Sequence, residues 1–167
     1  MKYSWLILIC QLIVMTGCSE EKVGGKTASH FYEKQELINL CKSIDSEDLN
    51  SIESIVKSGI DINTSGKEGM TPLAWAYFTD KAKAFKKLLE LKANPNISFK
   101  NDYDSLMSAL AYSKNIDYLK MAIKHGGSVN YHDYKDEKHW IEPPIFEAIL
   151  QNKIEHIKTL IKHGADI

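Results

Sequence analysis

Three cysteines, six histidines and a scatter of carboxylates are the residues of this 167-residue chain that could do chemistry. A thiolate is a nucleophile, a metal ligand and an acyl acceptor, depending on its surroundings. Cys10 sits inside an apolar run, and Cys18 directly follows the small residues Thr16 and Gly17. Cys41 lies among Leu37, Ile38, Leu40 and Ile44, a setting that predicts a small buried hydrophobe. His132, Asp133, Asp136, Glu137 and His139 form a cluster of zinc-ligand residue types. Their spacing matches no metal signature, and a solvated loop accounts for them. The chain contains no His-Glu-x-x-His, Gly-x-Ser-x-Gly or Gly-x-x-x-x-Gly-Lys. No catalytic residue, metal site or cofactor is therefore assigned. What remains is modification of Cys18 and recognition through surface side chains.

The elements around Cys18 suit the first. Lys2 gives a positive start, residues 5–15 are apolar, and a small-residue exit leads to the cysteine. That order describes a secretory signal. The segment Val14-Met15-Thr16-Gly17-Cys18 resembles the bacterial lipobox, with Met15 where Leu is usual. The resemblance implies cleavage after residue 17 and diacylglycerol on the Cys18 sulfur. The competing readings are an ordinary signal with an incidental cysteine and an uncleaved anchor helix, for which the run is short. Two acyl chains suffice to hold a protein stably on a membrane. Ser19, rather than Asp, is similar to the enterobacterial pattern sorted to the outer membrane. The expected location is thus the bacterial envelope, lipid-anchored and periplasm-facing. Residues 18–33 are read as the lipidated cysteine and a flexible tether, since residues 20–30 hold Gly, Ser and charge without periodicity. With Cys10 removed and Cys18 acylated, Cys41 has no partner for an internal disulfide, so the domain must be held by its core.

The formal net charge of -1 gives no large electrostatic pull toward nucleic acid. Residues 34–167 carry an internal repeat. Ser-Gly-Ile-Asp-Ile-Asn at 58–63, Leu-Lys-Ala-Asn-Pro-Asn at 91–96, His-Gly-Gly-Ser-Val-Asn at 125–130 and His-Gly-Ala-Asp-Ile at 163–167 end successive units alike. Ahead of each lies an apolar set at helical spacing: Ile52, Ile55, Val56; Phe85, Leu88, Leu89; Tyr118, Leu119, Ala122, Ile123; Ile154, Ile157, Leu160, Ile161. Lys or Glu occupies the opposite faces. The unit of Gly69-Met70-Thr71-Pro72-Leu73-Ala74-Trp75-Ala76, with weaker copies at 104–109 and 143–148, resembles the ankyrin repeat, whose period is about 33 residues. The resemblance implies an all-α solenoid of about four helix-turn-helix repeats with short β-hairpin loops. Trp75 is expected in the core. The segment 131–142 is longer than the family's hairpin. No polar cap follows the last repeat: either its final helix is itself polar outside, as Lys153, Glu155, Lys158 and Lys162 permit, or the gene is truncated, or a partner covers that end.

Ankyrin-like proteins bind with hairpin tips and inner helices, which places the candidate contact residues. The tips offer Lys67, Phe99, Tyr103, Tyr134 and Trp140; the exposed ends of first helices offer Tyr77, Phe78, Tyr112 and Gln151. Trp140 could also tuck under its own loop. The expected partner is another protein. A small exported lipoprotein with such a surface resembles the immunity lipoproteins that neutralise secreted antibacterial effectors, including phospholipases of the type VI secretion system. An envelope scaffold that binds a protein without inhibiting a toxin is the alternative, and an enzyme or metal-binding protein the third reading.

Overall fold

The structure, a computed structural model, describes residues 20–99, 105–136 and 139–167; of residues 133–136 and 139–141 only the backbone is described. Four helical hairpins follow one another. They are α2 (Gln35–Asp45) with α3 (Leu49–Lys57), α4 (Pro72–Phe78) with α5 (Ala82–Glu90), α6 (Leu106–Ala111) with α7 (Ile116–Lys124), and α8 (Pro144–Leu150) with α9 (Ile154–Lys162). A four-residue helix, α1 (Ala28–Phe31), precedes them, and a two-stranded antiparallel ribbon, β1 (Asp133–Asp136) and β2 (His139–Ile141), stands ahead of α8. Among the described residues no helix is long and apolar enough to cross a membrane.

Local chemistry starts and stops these helices. Asp48, Thr71, Ser105 and Asn115 each accept a backbone N–H of the first turn of the following helix, at 2.9 to 3.2 Å. Pro72 and Pro144 occupy the first turns of α4 and α8, where a missing N–H costs nothing. Every second helix runs out at a left-handed residue: Gly59, Lys92, Gly126 and Gly164, with φ of 101°, 71°, 92° and 87°. These are the four equivalent positions of the repeat.

Second helices α3, α5, α7 and α9 stack in one row; in the other, α2 packs on α4 and α6 on α8. Between α4 and α6 the Tyr77 hydroxyl donates to the Ala109 carbonyl at 3.0 Å. One continuous core runs through all four hairpins, with Trp75, Phe85, Tyr118, Leu40, Leu73, Leu88, Leu106 and Leu110 among its fully buried members. Each such side chain contributes about 1.5–3 kcal/mol by leaving water. Trp75 is in the core as expected, its indole N–H donating to Asp45 at 2.7 Å. Cys41 is buried and free, and burial pushes its thiol well above the usual range.

Asparagines tie each repeat to the next. Asn63 Oδ1 accepts the Asn94 N–H (2.8 Å). Asn96 Oδ1 accepts Ser128 N–H (2.7 Å), and its Nδ2 donates to the Gly126 carbonyl (2.9 Å). Asn130 repeats this pattern with Asp166 N–H (2.9 Å) and the Gly164 carbonyl (3.0 Å). An ion pair adds to the second-helix row: Glu53 lies 2.6 Å from Lys57 and 2.5 Å from Lys87, which pull its carboxyl down to about 2.

Two expectations need correction. Residues 20–33 are not a free tether along their described length. Glu21 pairs with Lys81 at 2.7 Å, Val23 and Lys26 exchange backbone hydrogen bonds, and Lys26 and His30 both reach Glu68. Ala28, Phe31 and Tyr32 are buried, and the Tyr32 hydroxyl donates to the Met70 carbonyl at 3.0 Å. Two aromatic side chains anchor a segment too short to show helical periodicity. The second correction is at the other end. The last hairpin is not polar outside: Phe146, Ile149, Leu150, Ile154 and Ile161 are 45 to 72% exposed.

Candidate binding groove

Five of the expected contact residues come together. Phe78 ends α4, while Tyr112 and Gln151 cap the C-termini of α6 and α8. All three sit where a first helix turns into its second. With Tyr77 they line an open groove of about 620 Å³ along that edge of the solenoid. Phe99, from the loop after α5, packs on Phe78 with ring centroids 5.6 Å apart.

Stacked rings fix the aromatic floor. Tyr77 meets Phe78 at 5.1 Å and Tyr118 edge-on at 5.4 Å, and Phe85 meets Tyr118 edge-on at 4.9 Å. Such pairs add about 0.5–1.5 kcal/mol beyond burial, so the floor is rigid before any partner arrives. Tyr118 donates its hydroxyl to Asp80 at 2.9 Å. Burial first, and then that carboxylate, push its phenol above the usual range.

The rim is basic. Lys114 and Lys153 line the groove beside Gln151, and neither forms an ion pair among the described residues. Nearby, buried His156 Nε2 lies 3.4 Å from Ser113 Oγ. That serine donates its only proton to the Asn115 carbonyl at 2.8 Å, which leaves the imidazole as donor to Oγ. The pair is thus set for structure, not for activating a nucleophile. Burial first, then Lys153 and Lys120, lower the imidazole pKa from 6.5. The groove offers apolar ring faces, the amides of Asn115 and Gln151, two ammonium groups and the Asp80 carboxylate already held by the Tyr118 hydroxyl, which suits a surface with apolar and acidic side chains.

The remaining candidates fall elsewhere. Lys67 is exposed on the loop between α3 and α4, beside Tyr32, in a hollow that shares no residue with the groove. Tyr134 and Trp140 are opposite one another in the backbone register of β1 and β2. Their side chains lie outside the described residues, as do Tyr103 and Cys18. Of the polar cluster around residues 132–139, only His132 has a described side chain; its Nδ1 lies 2.9 Å from the Asn130 carbonyl. Sequence reasoning missed Asp80, Lys114, Lys153 and the groove-facing role of Tyr118. Tyr118 was legible only as a helix-face hydrophobe. The others are turn residues, whose clustering depends on how the repeats stack.

No protein-family model matches the chain. Its sequence is 28% identical over 139 residues to a protein of fowlpox virus (strain NVSL) named as an ankyrin repeat protein. The match takes in 79% of this chain and 20% of the viral one, so the chain spans a fifth of the length of that curated relative. With four stacked hairpins of equivalent sequence, this gives the fold: an all-α solenoid of ankyrin-type repeats.

Proposed function

We propose that this chain is a non-catalytic protein-binding module, held on the bacterial envelope by acylated Cys18, that captures and neutralises a secreted antibacterial effector such as a phospholipase. The gathering of Tyr77, Phe78, Tyr112 and Gln151 on one groove, with Phe99 packed against Phe78, carries the binding part. Rigid aromatic side chains are the residues that most often dominate protein interfaces, because they bury much area at little entropic cost. Lys114 and Lys153 favour a partner with carboxylates facing them, and steer its approach. The anchoring part is supported by the Val14-Met15-Thr16-Gly17-Cys18 pattern. Confinement to a membrane raises the local concentration of an inhibitor against an enzyme that attacks that membrane.

Capture by the full chain, followed by mass spectrometry, tests this. Phe78→Ala combined with Phe99→Ala should weaken partner capture by about 2 kcal/mol or more, roughly thirty-fold, with helicity unchanged. Capture unaffected by the pair would remove the groove from the reading. An envelope scaffold would use the same groove, and loss-of-function separates the two. Deleting an inhibitor is toxic only while its effector is active; a defect that persists without the captured partner's activity favours the scaffold. Acylation is checked by labelling the full chain with a fatty-acid analogue, which Cys18→Ser should abolish, and outer-membrane placement by separating the two membranes and locating the labelled chain.

A further inference from the structure

The charges that flank each boundary between second helices change along the solenoid. Counted back from Gly59, Lys92, Gly126 and Gly164, equivalent positions flank every boundary. Between α3 and α5 they are Glu53, Val56 and Lys57 on one side and Lys87, Glu90 and Leu91 on the other. There Glu53 bridges Lys57 and Lys87. Beside the boundary of α5 and α7, Lys86 pairs with Glu90. Between α7 and α9 the same positions are Lys120, Ile123 and Lys124 against Thr159, Lys162 and His163, which line a hollow of about 410 Å³. Lys120 stands in the place of Glu53, and Lys162 in that of Glu90. Both carboxylates have been exchanged for ammonium groups.

Nothing inside the chain balances them. Lys120, Lys124 and Lys162 form no ion pair among the described residues. The acidic residues of these two helices, Asp117 and Glu155, lie in first turns, and Glu155 holds Lys158 at 2.9 Å. The C-terminal ends of α7 and α9 offset about half a charge each, so about two of the three positive charges remain in excess. His163 Nδ1 donates to the Thr159 carbonyl, and the Thr159 hydroxyl to the Glu155 carbonyl, both at 2.8 Å. The three ammonium groups are thus the donors left for a ligand. One carboxylate serves two lysines at the first boundary, and three lysines call for more. A phosphate monoester brings a charge of about -1.5 to -2 and three acceptor oxygens. Lysine binds phosphate as a point charge, without a fixed fork geometry. Ile123 and the lysine stems supply an apolar wall for the organic part of an ester.

We infer that this hollow between α7 and α9 binds a phosphate monoester, free or as a lipid headgroup, in the place that the Glu53 carboxylate takes between α3 and α5. The site is independent of what the groove holds.

Calorimetric titration of the full chain with glycerol 3-phosphate tests the site, alongside co-sedimentation with phosphatidylcholine vesicles that contain or lack phosphatidic acid. Insertion of acyl chains is common to both vesicles, so their difference reads the headgroup. Saturable binding of glycerol 3-phosphate assigns a soluble ligand; a gain on phosphatidic acid alone assigns a membrane one. Lys124→Gln and Lys162→Gln should each weaken binding about three- to five-fold. Lys120→Glu, which returns the carboxylate of the first boundary, should abolish it with unchanged circular dichroism. Lys42→Gln, which removes an exposed charge from α2, should leave it as it was. A chain that binds neither probe overturns the proposal. So does binding that survives Lys120→Glu, a loss in Lys42→Gln equal to that in Lys124→Gln, or acetate bound as tightly as glycerol 3-phosphate.

Discussion

Replacing Asn96 by Ala isolates the coupling between the second and third repeats. Its carboxamide makes two hydrogen bonds across that boundary, 2.7 Å from Ser128 N and 2.9 Å to the Gly126 carbonyl. A typical bond contributes about 0.5–1.5 kcal/mol net, and this side chain is half-buried, so water replaces part of the loss. The expected cost is about 1–2 kcal/mol. A domain of this size loses roughly 2–4 °C of Tm per kcal/mol, which predicts a fall of about 2–8 °C. Asn63→Ala removes one cross-repeat bond, to Asn94 N–H, and should cost about half as much. Asn130→Ala removes two, but only the final hairpin lies beyond it. It should fray that repeat and broaden the transition more than shift its midpoint, because repeat arrays are stabilised by nearest neighbours. Thermal and urea melts by far-ultraviolet circular dichroism read all three. An Asn96→Ala chain as stable as wild type, or an Asn63→Ala cost equal to or larger than it, would refute the staple argument.

Lys92 holds φ at 71°, in the position where the other three repeats have Gly. Lys92→Gly should therefore raise stability by a few tenths to about 1 kcal/mol in urea melts, the relief of left-handed strain exceeding the added unfolded-state entropy. His156 makes stability pH-dependent. Its folded pKa lies below 6.5, so the native state prefers the neutral ring; the stabilisation is full above 6.5 and is lost as pH falls from there toward the lowered folded value. Tm should decline across that window in wild type and decline less in His156→Gln; identical slopes would exclude the histidine as the cause.

Much of the architecture was legible because the repeat is written in two independent codes. Apolar spacing located α3, α5, α7 and α9, and the Gly59, Lys92, Gly126 and Gly164 series located their ends. Both are local properties of the chain. What was illegible depends on neighbours. Ile154 and Ile161 have the spacing of a buried stripe, yet periodicity reports which face is apolar and not whether anything lies on it. Phe31 and Tyr32 show no pattern at all, since a four-residue helix is shorter than two turns. Tyr77, Phe78, Tyr112 and Gln151 were identifiable as ends of first helices. That they share one groove with Lys114 and Lys153 follows from the stacking of three repeats, which no single unit encodes.

The ion pair between Glu21 and Lys81 sets a distance. Lys81 lies in the turn from α4 to α5, on the same edge as Phe78 and Asp80. With Cys18 acylated, only three peptide steps separate lipid from protein, a leash of about 10 Å at full stretch. The domain would then lie almost against the lipid headgroups instead of swinging above them. On the anchoring proposed above, the edge that Lys81 shares with Phe78 and Asp80 would open close to the bilayer surface, within reach of a partner that works on lipid.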